Sequence, residues 1–152
     1  MAMQISSPSF GDGETIPRKH TCEGDNVPPT LTWQGAPSGV RSFTLIAEDP
    51  DAPNGNFVHW IVYDLPPDTT QLQEAAVLPD GAQLGRNDFR NDAYGGPCPP
   101  PGDAHRYYFR LYALDDRLGL DQGASVSDVR KAMKGHVLEE AEVMGRSQRS
   151  NK

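Results

Sequence analysis

Short apolar runs, alternating with polar residues or wholly apolar and ended by proline or glycine, make up most of this chain, the pattern of strands rather than of long helices. Residues 42–47 (Ser-Phe-Thr-Leu-Ile-Ala) are β-branched and apolar and stop at Glu48-Asp49-Pro50-Asp51-Ala52-Pro53, where two prolines withhold ladder donors. Residues 57–65 (Phe-Val-His-Trp-Ile-Val-Tyr-Asp-Leu) form a second run, ended by Pro66 and Pro67. A third, 106–114, puts Tyr107, Phe109, Leu111 and Ala113 on one face and Arg106, Tyr108, Arg110 and Tyr112 on the other. Residues 4–6, 30–33 and 84–89 are weaker strand candidates.

One helix stands out. Val126, Val129 and Met133 recur at helical spacing, Ser125 is available as N-cap, and Gly135 follows the end. In 137–144, Val137, Ala141 and Val143 share strand parity, which favours a further strand. Several strands with one late helix predict a mainly β fold, an antiparallel β-sandwich carrying one or two short peripheral helices. No repeat or low-complexity linker divides the chain, so a single domain is expected over residues 1–146, followed by a basic, frayed tail at 147–152.

Composition sharpens this picture at a few points. The 15 glycines and 14 prolines among 152 residues exceed the roughly 12% these types usually supply, which argues against a helical bundle. A formal net charge of −7 disfavours broad binding to nucleic acid or anionic lipid. The N-terminal residues carry no basic stretch leading into an apolar run, and no segment approaches the ~20 apolar residues of a membrane span. The expectation is therefore a cytoplasmic protein without nucleic-acid or integral membrane contact. Cys22 and Cys98 are too few for a disulfide framework and lie in no CxxC pair, so they are expected to be reduced thiols of minor structural weight.

Chemistry concentrates in three places. Asp49-Pro50-Asp51-Ala52-Pro53 is a rigid turn holding two carboxylates at a strand end, which by itself fits an Asx-type turn. His59 sits in an otherwise apolar and aromatic strand, where a hydrogen-bonded core histidine is the ordinary reading. The segment from Tyr94 to His105 is stiffened by Pro97, Pro99, Pro100 and Pro101, while Gly95 and Gly96 allow close backbone approach. Together they put an acid, two imidazoles and a glycine-bearing loop at strand boundaries. Converging at one end of a sandwich, these groups would suit a small anion, with imidazole and backbone N–H groups donating and an aspartate fixing a histidine tautomer.

Asp49-Pro50-Asp51-Ala52-Pro53, then His59-Trp60-Ile61-Val62, Gly96-Pro97 and His105-Arg106-Tyr107 resemble the motifs of the phosphatidylethanolamine-binding protein family, in particular its short bacterial, Raf kinase inhibitor-like branch. The opening segment from Phe10 to Gly24, Leu31-Thr32-Trp33 and Gly135-His136-Val137-Leu138 resemble that branch too, so the likeness spans nearly the whole chain. The resemblance implies an antiparallel β-sandwich with a small pocket at one end for phosphate or related anions. It implies that Asp49, Pro53, His59, Gly96, Pro97, His105 and Tyr107 line or support that pocket, without cofactor or metal. A homodimer is also implied, although no self-complementary patch stands out.

Three functions follow for comparison. The first is a non-catalytic module binding phosphate or a phospho-headgroup, in which His59 and His105 donate to an anionic oxygen, Asp49 orients one imidazole and the Gly96 backbone adds a donor. The second is a hydrolase using Asp49, His59 and His105 as acid and base, with Cys22, Cys98 or His20 completing a zinc site, though no HExxH or GxSxG motif supports it. The third is an inhibitor of a kinase or protease that presents the loop at 92–103 to its protein partner.

Overall fold

Eight strands and one helix follow the punctuation of the sequence in a computed structural model that describes residues 2–53, 55–73 and 78–149. The strands are β1 (Gln4–Ser6), β2 (Leu31–Gln34), β3 (Ser42–Asp49), β4 (Phe57–Leu65), β5 (Gln71–Leu72), β6 (Gln83–Leu84), β7 (His105–Leu114) and β8 (Val137–Ser147), with α1 (Val126–Met133) before β8. They form two antiparallel sheets, β1-β2-β5 and β6-β4-β3-β7-β8. The mainly β sandwich with one helix is the architecture the pattern predicts.

The centre of the larger sheet, β3 and β4, is buried on both faces, which is why β3 and most of β4 read as continuous apolar runs. Phe43, Leu45, Ala47, Val62, Phe109 and Leu111 meet Leu31 and Trp33 of the smaller sheet. On the opposite face, Ile46, Ile61, Tyr63 and Leu114 pack with Val129 and Met133 of α1. The helix starts where Ser125 Oγ accepts the Asp128 N–H at 3.1 Å, as its N-cap position predicts. Val129 and Met133 are the buried stripe of this helix.

Two irregularities in the β3–β4 ladder matter. Ala47 pairs with Trp60 and Glu48 with Val58, so His59 is an extra residue, a β-bulge. The bulge sends Val58 to the helix face while Trp60 stays between the sheets. Nearer the other end, Asp64 adopts φ 56°, and its carboxylate accepts the N–H groups of Leu118 at 2.6 Å and Gly119 at 3.0 Å.

The final strand has no full-length strand neighbour on its outer side. The segment around Thr15 takes that place over its last residues: Gly13 N–H donates to Met144 C=O at 2.7 Å, Ile16 N–H to Arg146 C=O at 2.8 Å, and Arg146 N–H to Glu14 C=O at 2.9 Å. β8 runs through Ser147, which pairs with His105, into the segment expected to fray; residues 150–152 of that segment lie outside the described residues.

Two expectations need correction. Of the strand expected over 84–89, only Leu84 pairs, together with Gln83, and the chain then turns. Asn87 builds that turn: its Oδ1 accepts the N–H groups of Phe89 at 2.9 Å and Asn91 at 3.0 Å, so that single bonds, Gly85 N–H to Ile61 C=O and Asp88 N–H to Val58 C=O, replace a continued ladder with β4. The second concerns the cysteines. Cys22 and Cys98 form a disulfide, their Cα atoms 5.4 Å apart, because the loop at 18–27 crosses directly against the loop at 94–98.

Candidate functional site

The β3–β4 turn, the start of β7 and the proline-rich loop meet at one end of the sandwich around a cavity of about 280 Å³. Asp49 closes β3 and uses both carboxylate oxygens. Oδ1 accepts the Asp51 N–H at 2.8 Å, an Asx turn that Pro50 stiffens, while Oδ2 accepts the Nδ1–H of His105 at 2.7 Å. The second carboxylate of the turn grips the next residue along: Asp51 accepts Arg106 Nε at 2.9 Å and Nη2 at 2.8 Å, as well as the Arg106 backbone N–H at 2.9 Å. This ion pair holds the Asp51 carboxyl down at about 2, the Arg106 hydrogen bonds outweighing the opposing effect of burial. The turn is thereby locked to the first two residues of β7.

His59 is held differently. The bulge turns its ring toward the end of the inter-sheet space, where Nδ1–H donates to the Gly95 carbonyl at 2.7 Å and the Gly95 N–H returns a bond to the His59 carbonyl at 2.9 Å. The rings of Phe57, Phe89 and Tyr107 surround the imidazole, with centroids 4.9, 5.3 and 5.2 Å away. Burial lowers the His59 pKa, against the raising effects of the Gly95 carbonyl and the Asp49 and Asp88 charges. Burial, and after it the Asp49 charge, push the Tyr107 hydroxyl far above its ordinary pKa, so it remains an O–H donor.

In both histidines Nδ1 faces an acceptor and therefore carries the proton of the neutral ring. Nε2 is then a lone pair in the neutral imidazole and a donor only in the imidazolium. This refines the expectation that both imidazoles simply donate.

Asp49, Pro53, His59, His105 and Tyr107 all line the cavity. Gly96 and Pro97 stand behind its wall. The Gly96 N–H donates to Asn26 Oδ1 at 2.8 Å and the Pro97 carbonyl accepts the Cys22 N–H at 3.0 Å, so Gly96 is not the additional ligand donor expected. Their task is to seat one loop on another: a Cβ at Gly96 would lie 2.2 Å from the His20 carbonyl oxygen. The remaining wall includes Cys98, Pro99 and Pro100 of the proline-rich loop and two rings that the sequence did not single out, Phe57 and Phe89. An aromatic two positions before a strand histidine shares its face and could have flagged Phe57. A larger depression of about 450 Å³ over β1 and β2 has Glu142 as its sole ionisable lining residue, so the chemistry belongs to the smaller cavity.

The sequence profile of the phosphatidylethanolamine-binding protein family matches residues 6–148. The chain belongs to that family. Among relatives of this phosphatidylethanolamine-binding family protein are UPF0098 proteins of Methanothermobacter thermautotrophicus, 48% identical over 94% of this chain and 97% of the relative, and of Aquifex aeolicus, 45% identical over 94% and 86%. Its fold is matched by the crystal structure of a phosphatidylethanolamine-binding protein homologue of Chlamydia trachomatis, with TM-score 0.92, 39% identity and coverage of 98% and 99%. Escherichia coli YbcL, described as a member of the mammalian family, matches with TM-score 0.92, 34% identity and coverage of 99% and 100%.

Proposed function

We propose that this family member binds a small anion, phosphate or a phospho-headgroup, without catalysing its conversion. The observation that carries this reading is the paired anchoring of His59 on the Gly95 carbonyl and of His105 on the Asp49 carboxylate. It leaves two Nε2 atoms for a cavity of about 280 Å³, a volume suited to a phosphate with a short substituent. Either imidazole can bond a phosphate oxygen once protonated, or accept from a protonated one while neutral.

The described residues lining the cavity include no serine, threonine or free thiol to act as nucleophile. Among the described residues no three His, Cys, Asp or Glu side chains converge as metal ligands, and the bridge consumes both cysteines that a zinc site would have drawn on. These features favour binding over the hydrolase alternative. A helix long and apolar enough to cross a membrane is absent among the described residues.

Isothermal titration with inorganic phosphate and with phosphoethanolamine tests the reading. The parent should bind with about millimolar affinity, as befits a small polar ligand. His59→Ala and His105→Ala should each lose most of the heat; equal heats in parent and variants would refute the assignment.

A further inference from the structure

The disulfide occupies an unusual position for a structural staple. Cys98 belongs to the cavity wall with Pro99 and Pro100, while Cys22 lies exposed at the surface, on the loop outside that wall. Between the two loops run three hydrogen bonds: Cys22 N–H to Pro97 C=O at 3.0 Å, Gly96 N–H to Asn26 Oδ1 at 2.8 Å, and Tyr94 O–H to His20 C=O at 2.7 Å. Just upstream of Cys98, the Gly95 carbonyl fixes the His59 tautomer. The bridge thus bears on the wall of the cavity and, through a few residues of backbone, on one of its imidazoles.

We propose that Cys22–Cys98 is an exchangeable redox latch on the anion cavity: a dithiol opens it, and opening weakens anion binding. This rests on the anion-binding reading above. Cys22 is the exposed residue of the pair, so an external thiolate attacks its sulfur, forming a mixed disulfide with Cys22 and expelling Cys98 as thiolate. Arg149 stands ready for that thiolate, its Nη1 3.6 Å from Cys98 Sγ. The second thiol of the dithiol, deprotonated, then attacks its own sulfur in the mixed disulfide and releases Cys22 as thiolate. The sum is a dithiol oxidised to a disulfide and the bridge reduced to two cysteine thiols, two electrons and two protons having passed to the protein. Without the bridge, the loop that carries Cys98, Pro99 and Pro100 is tied to its neighbour by the bonds at Tyr94, Gly96 and Pro97, and the cavity must be ordered at the expense of ligand binding.

Linkage makes this measurable from both sides, because a bridge that tightens phosphate binding by some factor must be made harder to reduce by phosphate by the same factor. The full chain, oxidised or reduced with dithiothreitol, is titrated calorimetrically with inorganic phosphate, its thiols counted by alkylation and mass spectrometry and its fold followed by amide NMR spectra. Reduction should weaken phosphate binding about tenfold. Saturating phosphate should lower the reduction potential of the bridge by about 30 mV, that tenfold factor for a two-electron couple. Arg149→Gln, which keeps the bridge, should slow reduction about threefold by leaving the departing thiolate without its cation.

Equal phosphate affinity in both forms, with an unmoved potential, would overturn the latch and leave the anion-binding reading standing. A reduced chain that unfolds would overturn it in favour of a structural staple. Failure of both forms to bind phosphate would remove the anion-binding reading, and the latch with it.

Discussion

Sulfate separates the two ways in which His59 could meet an anion. Sulfate carries no proton between pH 5 and 8, so it cannot donate to a lone pair. With Nδ1–H committed to Gly95, the neutral His59 ring presents only a lone pair at Nε2. A bond from His59 to sulfate must therefore bring a proton onto its ring. Burial among Phe57, Phe89 and Tyr107 holds its pKa below the ordinary 6.5, with Asp49 and Asp88 pulling the other way without prevailing. Above pH 6.5 the free protein is thus neutral at this site, and the proton comes from solution. Sulfate affinity should fall about tenfold, or about 1.4 kcal/mol, for each unit of pH rise over the range between the free and the bound pKa. Calorimetry at pH 7 in buffers of different ionisation enthalpy should register about one proton taken up by His59 per sulfate bound, and His59→Gln should abolish that share. Phosphate, which can bring its own P–OH, should show a shallower dependence. A sulfate affinity that does not change between pH 6.5 and 8 would refute the tautomer assignment.

The buried loop crossing and the acidic turn yield two further outcomes. Gly96→Ala must push its Cβ away from the His20 carbonyl and Asn26 Oδ1, so it should lower the urea midpoint and weaken phosphate binding together although Gly96 touches no ligand; unchanged stability would contradict the crossing. Asp51, with its folded pKa lowered to about 2 from 3.8, contributes stability that is fully present above 3.8 and lost as pH falls toward 2. Asp51→Asn should flatten that acid limb of the urea midpoint against pH. Because both partners are partly exposed, 1 M salt should shrink the difference.

What the sequence made legible was whatever depends on local pattern. β3 and β4 announce themselves because both their faces are buried and their ends are marked by proline or by the acidic turn, β7 by its alternation of apolar and polar residues, and α1 by its own cap. Asp49 and His105 could be placed at strand ends, and antiparallel pairing of β3 with β7 then brings those ends together. The bulge at His59 could not be read, since an extra residue exists only relative to the register of a partner strand. The same holds for the disulfide, whose cysteines are separated by 76 positions and meet only because two irregular loops cross. Gly96 was legible as a residue needing close approach, but what approaches it is the backbone of His20 rather than a ligand. Phe89 was assigned to a strand, and it reaches the cavity rim because the Asn87 side chain bends the chain out of the sheet.

The strip of backbone around Thr15 that lies along the end of β8 also fixes an order of events during synthesis. β3 with β4, and β7 with β8, can pair as soon as each partner has emerged, but Gly13, Glu14 and Ile16 have their partners far along the chain, at Met144 and Arg146. Residues 13–16 must wait, unpaired, until residues 144–146 have been made. Such non-local closure slows folding and makes this strip of pairing a late event. Until then the outer edge of β8 is open to other chains, and the same residues that complete the fold are the ones that shield it from them.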